Sequence, residues 1–251
     1  GFCQLVGYES LLPASAIAAL REAATAFFET ESREAKMRDV RRNLPIVKIK
    51  DALVDALRTN QVVVVSGGTG SGKSTQCPQY ILEDAIKNGA GPTTRVVVTQ
   101  PRRIAAVSVA QRVANERGEK CGNSVGFSVR LHGTSPRDEG ASVEFVTTGV
   151  LLRRLMRDPS LEGVSHVMID EVHLLGDDRG GALEAVVSRL KVLSEKPSLQ
   201  SLPLGSVRFV ACSATVPNLT DVGKWLQVRL RFFFPSPFFV SLFFFFFFFF
   251  F

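Results

Sequence analysis

Val62-Val63-Val64-Val65-Ser66-Gly67-Gly68-Thr69-Gly70-Ser71-Gly72-Lys73-Ser74-Thr75 is the stretch that decides the fold. Its run of valines reads as a strand buried on both faces, the kind found inside a parallel sheet. The turn behind it spaces Gly67 and Gly72-Lys73-Ser74 as the phosphate-binding pattern G-x-x-x-x-G-K-[ST] requires. The residue types follow from the anion. With few Cβ atoms in the way, the backbone N–H groups of Gly67, Gly68, Thr69, Gly70, Ser71 and Gly72 can converge on phosphate oxygens. A helix opening at Lys73, Ser74 and Thr75 turns its positive end to the same group. Lys73 adds a point charge for β- and γ-phosphates, and the Ser74 hydroxyl suits Mg²⁺.

Outward from this stretch, strands and helices alternate. Strands are expected at Val62–Ser66, Arg95–Thr99, Val143–Thr147, His166–Asp170 and Val207–Ser213. Helices are expected at Ser74–Asn88, Ile104–Arg117, Gly149–Arg157 and Gly180–Leu193. Alternation with unbroken apolar strands predicts an α/β fold, a mostly parallel sheet with helices on both faces. Upstream, residues 13–60 read as helical with a break at Pro45. After it Ile46, Ile49, Leu53 and Leu57 recur at helical spacing, which predicts a helix packed ahead of the phosphate loop. The basic run from Lys36 to Arg42 reads as a solvated face.

Parallel sheets bind ligands beyond the carboxyl ends of their strands, so reactive residues belong there. Asp170-Glu171-Val172-His173 follows the apolar Val167-Met168-Ile169. Asp170 is placed to hold Mg²⁺, and Glu171 to orient or deprotonate an attacking water. Thr99-Gln100-Pro101-Arg102-Arg103, Thr147-Thr148-Gly149 with Arg153, and Ser213-Ala214-Thr215 follow three further strands. Hydroxyls, helix N-termini and arginines suit phosphodiester oxygens.

The chain of 251 residues suits one or two domains, and its formal charge of +6 permits a polyanionic partner. Cys3, Cys77, Cys121 and Cys212 form no C-x-x-C pair. That argues against a zinc site or disulfide framework and fits a reducing compartment, hence an intracellular location, cytoplasmic or nuclear. No membrane partner is expected. The Phe-rich run after Val228 is interrupted by Pro235 and Pro237 and is short for a span of about 20 residues. It is set aside as translated non-coding sequence, and the chain, which begins at Gly1, is expected to be truncated at both ends.

Taken in order, these segments resemble the DExH-box helicases, most nearly the DEAH/RHA-type RNA helicases. The resemblance rests on the phosphate loop with Thr75-Gln76 and Pro78-Gln79, Gln100-Pro101-Arg102-Arg103, Val125-Gly126-Phe127-Ser128-Val129-Arg130, Thr147–Arg153, Asp170–His173 and Ser213–Thr215. It implies a RecA-like P-loop NTPase domain at 41–227, the first of two lobes, after a helical extension at 1–40 and before the tail at 228–251. It implies ATP and Mg²⁺, with Ser74, Asp170 and Glu171 around the metal and Lys73, Asp170, Glu171 and His173 in catalysis. Arg112 matches the arginine that stacks on adenine. Arg103, Arg130 and Thr148 match contacts to the backbone of single-stranded RNA. His173 and Ser213-Ala214-Thr215 match the segment that couples nucleotide state to RNA movement.

The chain departs from the family pattern at Gly68, where Glu is usual, and at Leu174-Leu175, where Glu-Arg is usual. No second-lobe motif follows, so the chain by itself is expected to bind ATP weakly and hydrolyse it negligibly. A P-loop ATPase or kinase that ignores nucleic acid, and a non-catalytic RNA-binding remnant, are the alternatives.

Overall fold

In a computed structural model of the chain, the described residues are 33–137, 140–176, 180–195, 207–214, 225 and 232–233. Helix α1 (Arg33–Arg42) and a 3₁₀ turn (Pro45–Ile49) lead into α2 (Lys50–Thr59). Strand β1 (Val62–Ser66) runs into the phosphate loop and α3 (Lys73–Lys87). Then come β2 (Arg95–Gln100), α4 (Arg103–Glu116), β3 (Val125–Val129), β4 (His132–Thr134) and β5 (Ser142–Thr147). Helix α5 (Thr148–Arg157), β6 (His166–Ile169), a 3₁₀ turn (Val172–Gly176), α6 (Gly180–Glu195), β7 (Arg208–Ser213) and β8 (Phe232–Phe233) complete the order.

The strands lie in the order β4-β3-β5-β2-β6-β7-β1-β8. All pairs are parallel except β3 with β4. Side-chain alternation divides the core into two layers. Val63 and Val65 of β1, with Val96, Val98, Val143, Phe145 and Met168, pack on one face under α2, α3 and α4. Val64, Val97, Val167, Ile169 and Ala211 pack on the other under Leu151 and Leu155 of α5 and Leu183, Val186 and Leu190 of α6. Both faces are covered, as a parallel sheet demands.

Three expectations are revised. Strands β3 and β4 were not among the expected ones. Gly126 and the polar residues around His132 weaken the strand signal there. Gly126 is nonetheless required, because a Cβ would stand 2.5 Å from Thr134 O and Pro136 Cδ. Pro45 does end the first helix, but a 3₁₀ turn intervenes before α2. Arg41 leaves the solvated basic face: its guanidinium bonds Gln76 and Glu83. In the tail set aside above, Phe232–Phe233 runs parallel to Val64–Val65. The helix expected from residue 13 to 32, Asp177–Arg179 and Thr215 lie outside the described residues.

Candidate functional site

Register fixes a row of strand ends along one rim. Ser66 pairs with Ser213, Ile169 with Ala211 and Thr99, and Gln100 with Thr147. Strand β7 alone separates β1 from β6, so the phosphate loop and Asp170 are two strand spacings apart, about 10 Å.

The loop is held from both sides. Gly67 N–H donates to Ser213 O (3.2 Å), and Ile46 N–H donates to Ser71 O (3.1 Å). Gly72, just before α3, has φ 96°, a left-handed conformation that a side chain would strain. A Cβ there would also press on Leu44 and Ile46 at 3.0 and 3.1 Å. Lys73 is 8% exposed, and its Nζ donates to Gly67 O (2.5 Å), Gly68 O (2.8 Å) and Ser71 Oγ (3.2 Å). Its charge thus sits in the curl of the loop. A Cβ on Gly68 would meet nothing within 4 Å, so no steric contact at that atom requires glycine there.

Asp170 is 4% exposed at the end of β6. Burial pushes its carboxyl up from the ordinary range, opposed by hydrogen bonds from Ser74, Gln100 and the Glu171 amide and by the Lys73 charge. Gln100 Nε2 donates to Asp170 Oδ2 at 2.6 Å. The Ser74 hydroxyl and Asp170 carboxylate therefore meet where the phosphate loop enters α3. This oxygen donor pair suits Mg²⁺, which keeps waters and substrate phosphates for its other positions. Among the described residues no cluster of three His, Cys, Asp or Glu side chains is placed to hold a metal.

Glu171 has φ 56°, unusual for a residue with a side chain. Its N–H donates to Asp170 Oδ1 (3.0 Å), and its carbonyl accepts from Leu174 N–H (2.9 Å). Its carboxylate Oε2 lies 3.3 Å from His173 Nε2. Burial and then the neighbouring Asp170 charge raise the Glu171 carboxyl above its usual range. Ala214 N–H donates to His173 Nδ1 (3.2 Å). A backbone N–H only donates, so neutral His173 carries its proton on Nε2, directed at Glu171. One imidazole thus joins the acid to the end of β7.

The other end of the rim is basic. Pro101, Arg103, Arg130, Thr147, Gly149 and Arg153 line a cavity of about 370 Å³. Thr148 stands between two lining residues at the start of α5. No ion pair among the described residues neutralises Arg103, Arg130 or Arg153. Arg153 belongs to a strand-end motif named above but not to the RNA contacts that the resemblance implies. It follows Gly149 by one helical turn, and that spacing was the available signal. Gln100 was grouped with the phosphodiester contacts; its bond to Asp170 had no local signature. Arg112 lies apart on α4, half exposed and bonded through Nε to Glu116 at 2.6 Å.

Fold and site together define a RecA-like α/β lobe with a phosphate loop, an acidic strand end and a basic groove on one rim. The family model for DEAD/DEAH box helicases matches residues 47–222. The chain belongs to the DEAD/DEAH box helicase family. It is 52% identical over 202 residues to DExH-box ATP-dependent RNA helicase DExH3 of Arabidopsis thaliana, covering 78% of this chain and 16% of that protein. It is 48% identical over 199 residues to DExH-box ATP-dependent RNA helicase DExH1 of the same organism, covering 79% and 18%. It is 42% identical over 175 residues to ATP-dependent DNA/RNA helicase DHX36 of Bos taurus, covering 68% and 17%. The chain thus spans less than a fifth of each of these relatives. Among the described residues no helix is long and apolar enough to cross a membrane.

Proposed function

We propose that this chain is the ATP-binding lobe of an ATP-dependent RNA helicase, with residues 41–227 as the lobe, 1–40 as a helical extension and 228–251 as a Phe-rich tail. One observation carries the reading. Gln100 lies between the two halves of the rim, bonded to Asp170 on one side and followed directly by Pro101 of the groove.

The loop from Gly67 to Gly72, with Lys73 and Thr75, holds the triphosphate, and Arg112 meets the adenine. Ser74 and Asp170, with Glu171 beside them, would hold Mg²⁺, which would supply neutralisation of the triphosphate charge. Glu171 orients the attacking water and takes its proton, a task its raised carboxyl suits. Arg103, Arg130 and Thr148 bind the backbone of single-stranded RNA. His173 and Ser213-Ala214-Thr215 transmit the state of the nucleotide. A second RecA-like lobe completes the pocket in the whole protein, so this chain alone turns over negligibly.

Equilibrium titration tests the reading. Lys73→Ala should abolish ATP binding, Glu171→Gln should retain it, and single-stranded RNA should lower the ATP dissociation constant. No RNA effect would favour a P-loop ATPase or kinase of another kind. Salt-dependent RNA binding without nucleotide response would favour a non-catalytic remnant. RNA-stimulated turnover of roughly one per second by this chain would refute the need for a second lobe.

A further inference from the structure

Behind the phosphate loop lies a polar network of which only Arg112 has a role above. Glu116 ends α4 with a side chain only 1% exposed. Gln76 Nε2 and Gln79 Nε2 each donate to its Oε2 at 2.8 Å, and Arg112 Nε donates to its Oε1 at 2.6 Å. Gln76 Oε1 accepts in turn from Arg41 Nε at 2.7 Å. Both glutamines are fully buried. A carboxylate in such a place is costly unless donors meet it. The orientation of the Gln76 amide is fixed by its neighbours. Arg41 offers only donors, so Oε1 must face it and Nε2 must face Glu116. The network therefore runs from α1, through the first turn of α3, to Arg112.

Arg112 is anchored at one end and open at the other. Its Nε is committed to a buried carboxylate one helical turn away, while its side chain is 51% exposed. A guanidinium tethered in this way loses rotational freedom and presents a fixed plane, the geometry that stacking requires. A flexible arginine would have to be ordered by each incoming nucleotide.

We propose that Glu116 is a positioning residue for nucleotide binding, holding Arg112 flat for the base, and that Arg41, acting through Gln76, ties this hold to the segment ahead of the lobe. The inference rests on the reading of Arg112 as the base contact. It goes beyond that reading by giving functions to Glu116, Gln76 and Arg41.

The test is equilibrium titration of the full 251-residue chain with ATP and, separately, inorganic tripolyphosphate, which engages the phosphate loop but has no base. Glu116→Gln should weaken ATP about two- to thirtyfold, the span of a cation–π contact, and leave tripolyphosphate unchanged. In an Arg112→Ala background Glu116→Gln should weaken ATP no further. Arg41→Gln should act in the same direction and more weakly, and it carries the test if Glu116→Gln fails to fold by thermal unfolding. Equal loss of ATP and tripolyphosphate would make the network merely structural and overturn the proposal. So would an unchanged ATP affinity in Glu116→Gln where Arg112→Ala weakens it. If Arg112→Ala itself leaves ATP binding intact, the base-contact reading fails and the proposal falls with it.

Discussion

Two neighbouring residues of β2 make opposite predictions. Gln100 is 3% exposed and gives the buried Asp170 carboxylate a 2.6 Å hydrogen bond. Thr99 is 1% exposed, and its Oγ1 finds no hydrogen-bond partner. Gln100→Leu keeps the bulk but removes a donor from a buried carboxylate, a loss of about 1.5–3 kcal/mol. Unfolding should shift by about 2–4 °C per kcal/mol for a chain of this size, hence roughly 3–12 °C downward. Thr99→Val removes a hydroxyl that makes no bond and should leave the midpoint unchanged or raise it. Thermal unfolding of both variants at neutral pH measures the contrast. In parallel, Mg²⁺-dependent ATP affinity should fall for Gln100→Leu and hold for Thr99→Val. Equal midpoints for the two variants would refute the claim that Gln100 stabilises Asp170.

Gly72→Ala should cost about 2 kcal/mol, because φ 96° disfavours any side chain and the new methyl presses on Leu44 and Ile46; thermal unfolding reads this as a fall of roughly 4–8 °C. Arg103, Arg130 and Arg153, acting on three phosphates, should give single-stranded RNA binding a log–log salt slope of about −2, and replacing all three with Ala should remove that slope; an unchanged slope would place RNA elsewhere. His166 is pushed down to about 3 by burial and then by the Arg208 charge. It is neutral in the fold and takes up a proton on unfolding below its ordinary range. Stability is therefore unaffected by this group above pH 6.5 and falls as pH drops toward 3, the loss reaching about 2 kcal/mol at pH 5. His166→Gln should flatten that part of the stability profile in urea titrations.

Local pattern alone determined much of this protein. Four β-branched valines in a row followed by a glycine turn read as a strand covered on both faces, and the glycines, Lys73 and Ser74 behind them fit the spacing of a phosphate-binding loop. Asp170 and Glu171 were legible for the same reason, since acids directly after an apolar strand lie at its carboxyl end. These signals act over a few residues, within the reach of sequence spacing. The order of strands, and whatever depends on it, belongs to the tertiary structure. Gln100 meets Asp170, Arg41 meets Gln76, and His173 meets Ala214 across separations of 70, 35 and 41 residues. No periodicity encodes such pairs, because their geometry is set by which strands neighbour one another and by the two packed layers that hold the helices. Arg41 reads as one more cation in a solvated run, and only the packing of α1 against α3 makes it part of a buried network.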